Sequence, residues 1–146
     1  MCLKHLKLKK ELELYNFAMY REYQLETYSD DKGQLTPIEF ADLNLFNIKR
    51  IYFVHNNLTK RGGHAHLKEE EFFIMSSGEC IAKLHDGKNW IEVKLVAGEN
   101  GLYVGNMIWH EFDLFSEGAV LTALSSTSYN SDRLDYIEDF NKFINV

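Results

Sequence analysis

Hydrophobic and polar residues alternate with a period near two along most of the chain from about residue 22 onward. Successive side chains of a β-strand point to opposite faces, so this alternation predicts strands with one buried face. Glycine-containing turns, such as Ser76-Ser77-Gly78 and Asp86-Gly87, separate many of these segments. The predicted strands are Tyr23–Thr27, Leu35–Phe40, Ile48–His55, Gly63–Lys68, Glu71–Met75, Glu79–Leu84, Trp90–Val96, Gly101–Val104, His110–Phe115 and Val120–Ser125.

Many short strands at regular spacing predict an all-β fold, either a sandwich, a jelly roll or a small barrel. Near the C-terminus the period changes to that of a helix, with Ser131-Asp132 as its predicted start. The helical stripe consists of Leu134, Ile137, Phe140 and Ile144. Residues 1–21 fit both a strand and a helix and are left unassigned as an N-terminal extension.

The composition narrows the class of protein. A chain of 146 residues and 17.1 kDa predicts one domain over residues 1–146, and 45% hydrophobic with 26% charged residues argues against disorder. The absence of a long apolar run argues against a membrane partner. A net charge of −6 argues against a general nucleic-acid surface but leaves room for a local basic pocket. The two cysteines form no disulfide framework, which predicts a cytoplasmic protein.

The segment Arg61-Gly62-Gly63-His64-Ala65-His66 carries the strongest candidate chemistry. In a strand, His64 and His66 share one face, so their imidazoles converge either to bind a metal ion or to move protons near neutral pH. The two glycines allow close approach of the backbone, and Arg61 suits a phosphate or carboxylate group. His110 supplies a third candidate imidazole.

A second candidate cluster lies in the predicted strand Ile48–His55. Arg50 and Tyr52 share one face there, and Ile51 and Phe53 share the other. Arg50 and Tyr52 are either solvated or directed into the interior with the histidines. In the interior, the arginine can neutralise phosphate charge and the tyrosine can relay a proton.

The spacing of His64, His66, Glu71 and Gly78 resembles the first sequence motif of the cupins, and His110 stands where the second motif places its histidine. This resemblance implies a cupin, or jelly-roll β-barrel, with a C-terminal helix. A metal-dependent cupin would use His64, His66, Glu71 and His110 as its ligands. The rest of the acidic run Glu69–Glu71 is predicted to be a solvated face.

A longer ordered set of segments resembles the dTDP-sugar 3,4-ketoisomerases, which are cupin-type enzymes of bacterial deoxysugar biosynthesis. The resemblance covers roughly residues 22–144. The segments are Asp31 to Glu39, Ile48 to Tyr52, Arg61 to His66, Gly101 to Gly105, Trp109 to Glu111, Tyr129, and Asp135 to Ile137.

This resemblance implies a substrate, dTDP-4-keto-6-deoxyglucose, whose keto group moves to C3 through an enediol without a metal or redox cofactor. It implies His64 and His66 as the acid/base pair, with His66 as the base toward carbon, and Tyr52 as a further catalytic group. Lys32 stands where family members often carry arginine, which keeps the charge but not the bidentate guanidinium. The predicted substrate-binding residues are Arg50, Arg61, Lys32, Tyr103 and His110.

Three other functions fit the same residues: a dTDP-4-keto-sugar 3,5-epimerase, a metal-dependent cupin enzyme, and a sugar-nucleotide-binding cupin without catalytic activity. The resemblance also implies a homodimer, in some members with exchanged N-terminal strands.

Overall fold

The fold comes from a computed structural model, which describes residues 20–146. Most of the unassigned N-terminal extension, residues 1–19, lies outside this range, and residues 20–21 begin the first strand. The elements are β1 Tyr20–Gln24, β2 Tyr28–Asp30, β3 Gly33–Leu35, α1 Phe40–Leu43, β4 Arg50–His55, β5 Arg61–His66, β6 Glu71–Ser77, β7 Glu79–His85, β8 Trp90–Val96, β9 Asn100–Val104, β10 Trp109–Asp113, β11 Val120–Ser125, β12 Tyr136–Ile137 and α2 Phe140–Ile144.

The strands form two five-stranded antiparallel sheets. The first has the order β1-β9-β6-β11-β4 and the second has the order β12-β5-β10-β7-β8, while β2 and β3 form a separate hairpin. Alternating residues of both sheets meet in one hydrophobic core that includes Phe73, Leu84 and Leu121. The all-β prediction with a small C-terminal helix is confirmed, and two facing antiparallel sheets are what a cupin-type jelly roll requires.

The outer face of the first sheet carries a second core. Phe72 and Tyr103 point outward, opposite to their strand neighbours Phe73 and Leu102, and α1 covers them with Leu43. A third cluster joins Trp109 to Phe143 of α2. No helix among residues 20–146 is long and apolar enough to cross a membrane.

Eight of the ten predicted strands, from β4 onward, begin and end within two residues of the observed bounds. The predicted strand Tyr23–Thr27 is observed as β1, earlier in the chain at Tyr20–Gln24. The predicted strand Leu35–Phe40 is wrong: β3 ends at Leu35, and Phe40 begins α1. Pro37, which lacks a backbone N–H donor, lies within that predicted strand.

The predicted helix start at Ser131-Asp132 is also wrong. Tyr136 and Ile137 instead pair with β5 as strand β12. Leu134 is exposed, whereas the predicted helical stripe would bury it. The helix α2 begins only at Phe140, where the side chain of Asp139 accepts a hydrogen bond from the backbone N–H of Lys142.

Candidate active site

Strand β5 reaches the interior because of the glycines that precede its histidines. A Cβ atom on Gly62 would lie 2.7 Å from the carbonyl oxygen of His110, and Gly62 has a φ of +82°, so a side chain is excluded there. This close approach places His64 directly opposite His110 in the β5–β10 register.

Three imidazoles meet at the inner face of β5 and β10. The ring centroid of His64 lies 4.8 Å from that of His66 and 4.7 Å from that of His110, and the last two are 5.6 Å apart. Burial lowers the pKa of His64 to about 3 and that of His110 to about 4, and it lowers the pKa of His66 as well. All three rings are therefore neutral at pH 7 and can accept protons.

Tyr52 of β4 projects into the same interior, as the functional alternative for this strand predicted. Its hydroxyl donates a hydrogen bond of 2.5 Å to Oε1 of Glu71, which is 2% exposed. Burial, with the negative charge of Glu69, raises the pKa of Glu71 to about 8. Burial and the Glu71 carboxyl raise the pKa of Tyr52 well above its usual value, so the tyrosine is neutral.

Arg50 also points inward, but its charge is already paired. A guanidinium nitrogen of Arg50 lies 2.6 Å from Oε1 of Glu69, and the Ser125 hydroxyl donates to the same oxygen at 2.5 Å. The predicted solvated face is wrong at Glu69, because this carboxyl is buried and bound by Arg50 and Ser125.

The C-terminal strand β12 closes the site over the histidines. The ring of Tyr136 lies 4.8 Å from that of His64 and 4.5 Å from that of His66, and the guanidinium carbon of Arg133 lies over the Tyr136 ring, 4.0 Å from its centroid. Oδ2 of Asp135 is 3.2 Å from Nδ1 of His66. A cavity of about 400 Å³, lined in part by Arg50 and Tyr136, opens beside this cluster.

The structure does not bring every predicted residue to the histidines. Arg61 is exposed at the start of β5, opposite Phe112. Lys32 lies in the turn of the β2–β3 hairpin, and the hydroxyl of Tyr103 donates to Oε1 of Glu70 on the outer face of the first sheet. Their assignment to substrate binding stays a prediction.

Sequence reasoning gave no role to Glu69, Asp135 and Tyr136, which all contact the site. The spacing of Glu69 and Glu71, two residues apart just after the histidines, was the one signal in the sequence that could have placed both carboxyls on one face. Asp135 and Tyr136 lie within a segment that resembled the ketoisomerases, but their contact with His66 depends on pairing between distant strands.

Two sets of side chains have ligand atoms close enough to hold one metal ion. The atoms of His64, His66 and His110 lie within 4.8 Å of one another, and so do those of His66, Glu69 and Glu71. Neutral imidazoles suit a divalent metal ion, but Glu71 already binds the Tyr52 hydroxyl and Glu69 already binds Arg50. The same groups also suffice for acid/base chemistry.

Residues 18–146 match the family model described as "FdtA: WxcM-like, C-terminal". The chain is also 37% identical over 116 residues to the TDP-4-oxo-6-deoxy-alpha-D-glucose-3,4-oxoisomerase of Aneurinibacillus thermoaerophilus, an alignment that covers 78% of this chain and 82% of that protein.

Solved structures of similar proteins include a 3,4-ketoisomerase from Helicobacter canadensis, with a TM-score of 0.78, 34% identity, and coverage of 86% of this chain and 95% of that one. A variant of the 3,4-ketoisomerase QdtA from Thermoanaerobacterium thermosaccharolyticum, solved in complex with TDP-4-keto-6-deoxyglucose, matches with a TM-score of 0.78 and 30% identity. That match covers 91% of this chain and 94% of QdtA.

Proposed function

This chain belongs to the FdtA family, WxcM-like, C-terminal, and we propose that it is a 3,4-ketoisomerase that acts on a TDP-linked 4-keto-6-deoxy sugar. It converts TDP-4-keto-6-deoxyglucose to a TDP-3-keto-6-deoxyhexose in deoxysugar biosynthesis. The convergence of three neutral imidazoles and Tyr52 at one interior point, in a chain 34% identical to a 3,4-ketoisomerase, carries this conclusion.

The reaction needs two kinds of proton transfer. The C3 hydrogen is acidic because it lies beside the C4 ketone, and its removal gives an enediol. Delivery of a proton to C4, with loss of the O3 proton, then gives the 3-ketone. One group must exchange protons with carbon and another with oxygen, and each positioned acid or base contributes a factor of roughly 10²–10⁴ to the rate.

We assign the carbon base to His66 and a hydrogen-bonding, proton-transferring role toward the oxygens to His64 and Tyr52. His66 suits the first role because its ring is neutral and can accept a proton, and the carboxylate of Asp135, whose Oδ2 lies 3.2 Å from Nδ1 without forming a hydrogen bond, stabilises the charge that the ring then gains. His64 is less buried than His66 and lies between it, His110 and Tyr136.

The remaining predicted residues are assigned to binding. His110 completes the polar lining of the interior, and Arg50, which lines the cavity, is assigned to contact with the substrate. Arg61 is exposed and has no carboxylate partner within ion-pair distance among residues 20–146, so its charge is available to the diphosphate. Lys32 and Tyr103 reach a sugar nucleotide only if a second subunit contributes to the site.

We propose that the enzyme is a homodimer and that catalysis requires no metal ion. The exposed position of the Lys32 hairpin supports the first part, and the acid/base groups in the interior support the second. Strand β1 pairs with β9 of the same chain, and exchange of the N-terminal strands stays a prediction.

Product analysis in deuterated buffer tests the activity. The protein is incubated with TDP-4-keto-6-deoxyglucose before and after exhaustive treatment with EDTA, and the sugar is examined by NMR. We expect a 3-ketone in both samples, and its deuterium content at C4 measures how far the proton on the carbon base exchanges with solvent before it returns to carbon.

Other products would identify the alternatives. Inverted configuration at C3 and C5 with the ketone still at C4 would indicate an epimerase. Unchanged sugar with normal TDP binding would indicate a binding protein, and activity lost to EDTA and restored by a divalent ion would indicate a metal-dependent enzyme.

A further inference from the structure

We propose that Tyr136 is a positioning residue for the ketoisomerase reaction: its aromatic ring sets the angles at which the imidazoles of His64 and His66 meet the sugar. This inference rests on the proposed function, because it concerns the two histidines that transfer protons in that reaction.

Among residues 20–146, the orientation of the His66 ring depends on packing rather than on hydrogen bonds. Its Nδ1 is buried without a hydrogen-bond partner, and its Nε2 lies 3.6 Å from Oε2 of Glu71, which is longer than a hydrogen bond. The ring of Tyr136 lies 4.5 Å from the His66 ring at an interplanar angle of 66°. The rings of His64 and His110 lie farther from it, at 4.8 and 5.6 Å. Edge-to-face contacts favour particular angles, so the Tyr136 ring can orient an imidazole that no hydrogen bond holds.

The strand register explains why one aromatic ring contacts both histidines. Tyr136 of β12 is the partner of His66 of β5, and residues opposite each other in antiparallel strands project from the same face of the sheet. His64 shares that face with His66. The Tyr136 ring therefore also contacts the ring of His64, at a centroid distance of 4.8 Å and an angle of 50°. A single side chain thus packs on both groups to which proton transfer is assigned.

The backbone next to Tyr136 is held against the end of β5. The carbonyl oxygen of Asp135 accepts a hydrogen bond of 2.8 Å from the backbone N–H of Leu67. The carboxylate of Asp135 accepts two more from backbone N–H groups, at 2.9 Å from Lys68 and at 3.1 Å from Glu69. These three bonds give the Tyr136 ring a rigid support, which a positioning residue needs.

Arg133 covers part of the same ring. Its guanidinium carbon lies over the ring of Tyr136, 4.0 Å from the centroid, and its guanidinium also binds Oε1 of Glu138 at 2.5 Å. A cation over an aromatic face adds an attractive contact that restrains the ring. These contacts with Arg133 and the histidines are all made by the ring of Tyr136, so the proposed role belongs to the ring and not to the hydroxyl.

The reaction makes the directions of the two imidazoles important. His66 takes a proton from C3, and His64 transfers protons at the neighbouring oxygens, so the two rings must point at different atoms of one sugar. A group that transfers a proton must lie within hydrogen-bond reach of its target, and a misplacement of about 1 Å can lower the rate by about 10²-fold. Tyr136 fixes both directions together, because its ring contacts both imidazoles.

Two substitutions of Tyr136 separate the ring from its hydroxyl. Tyr136→Phe keeps the ring and should keep kcat near the wild-type value. Tyr136→Leu removes the aromatic contacts, and we expect kcat to fall by about 10²-fold, with KM and TDP binding nearly unchanged. Deuterium exchange at C3 and product formation should fall together in Tyr136→Leu, since both histidines lose the same support.

The chain offers a matched control on the same strand. Ile137 follows Tyr136 in β12, pairs with Ala65, and packs on the opposite face with the cluster of Trp109 and Phe143. Ile137→Ala should lower the midpoint of thermal unfolding but leave kcat near the wild-type value, because it loosens the strand and keeps the aromatic ring. An equal loss of kcat in Ile137→Ala and Tyr136→Leu would assign the effect to the strand as a whole and overturn the role of the ring.

Crystal structures of the variants test the geometry without an activity assay. The rings of His64 and His66 meet at an interplanar angle of 81°. Tyr136→Phe should keep this angle, whereas in Tyr136→Leu one or both imidazoles should turn away from it or adopt alternate conformers. Unchanged ring angles in Tyr136→Leu would overturn the positioning role, even if kcat falls.

The outcomes separate this inference from the proposed function. If the wild-type protein does not isomerise the sugar, the proposed function fails, and the ring angles in the variants decide separately whether Tyr136 orients the histidines. If the wild type is active and Tyr136→Leu matches it in kcat, only the role of Tyr136 is overturned. A Tyr136→Phe protein as slow as Tyr136→Leu would also overturn it, because the hydroxyl would then act in the chemistry.

Discussion

His64 and His66 occupy different environments on the same face of β5, so we expect substitutions of the two residues to have different effects on the reaction. His66 is the more buried of the two and lies 3.2 Å from the carboxylate of Asp135, which stabilises its protonated form. We expect His66→Asn to abolish both isomerisation and deuterium exchange at C3. His64→Asn should block product formation but leave slow C3 exchange, because enolisation can occur without completing the transfer. NMR of the sugar in deuterated buffer measures both rates.

Calorimetric titration with TDP serves as the control for these two variants, since the nucleotide lies away from the reacting carbons and should bind both. Near-normal turnover in either variant would remove that histidine from catalysis. Loss of C3 exchange in His64→Asn alone would reverse the two assignments.

At this scale, the sequence predicted the residues whose direction follows from strand alternation. The shared face of His64 and His66 follows from the alternation along one strand, and so does the shared face of Arg50 and Tyr52, although the sequence left open whether that second face is inside. Glu71 was assigned only as a metal-ligand alternative. Burial of a carboxyl group costs free energy unless partners form hydrogen bonds with it. The partner of Glu71 is Tyr52 on another strand, and local sequence does not indicate such a contact.

Among the elements, the position of strand β5 depends on two glycines that have similar backbone angles but different surroundings. Gly62 and Gly63 have φ values of +82° and +84°, but only a Cβ on Gly62 would meet atoms within 4 Å. Gly63→Ala should lower the free energy of unfolding by about 1–2 kcal/mol through backbone strain alone. Gly62→Ala should cost about 1–3 kcal/mol more, because the new methyl group contacts the His110 carbonyl and pushes β5 away from β10.

Urea unfolding of the two variants measures this difference, and the isomerisation assay measures its effect on the site. Gly62→Ala should lose more activity than Gly63→Ala, since it separates His64 from His110. Equal losses of stability in the two variants would show that the close approach at Gly62 does not set the position of β5.

The elements that the sequence predicted best are those whose neighbours follow closely along the chain. Strands β7 and β8 are adjacent in both sequence and sheet, and their alternation gave their bounds within one residue. The C-terminal region was mispredicted because Asp135 accepts hydrogen bonds from the backbone N–H groups of Lys68 and Glu69, and so holds the chain extended where its apolar spacing favoured a helix. Tertiary contacts override local propensity there.

On the scale of the whole molecule, the Lys32 hairpin projects from the body of the chain. Strands β2 and β3 are exposed throughout, and the Thr27 hydroxyl ties the hairpin to the carbonyl oxygen of Gly98 at 2.7 Å. Gly98 precedes β9, whose far end at Val104 lies beside Glu71. Within one chain, the hairpin is thus anchored at the opposite end of β9 from the histidines.

Hybrid dimers test whether a second subunit brings Lys32 to the site. Sedimentation should give twice 17.1 kDa. Lys32→Ala and His66→Asn, each impaired alone, should recover about a quarter of wild-type activity when refolded together, because half of the dimers then hold one intact site of two. No recovery would contradict a site shared between subunits, and full activity of Lys32→Ala alone would contradict a binding role for Lys32.

The strand that closes the site over the histidines has a further consequence for how the protein is made. Asp135 binds the backbone at Lys68 across a separation of 67 positions, and β12 pairs with β5, so this wall is synthesised after every other strand of the two sheets. Contacts between such distant positions form late, because a long loop must first be closed. During translation, the two sheets can therefore assemble around an open interior, and the chain acquires its enclosed chemical site as one of its last folding events.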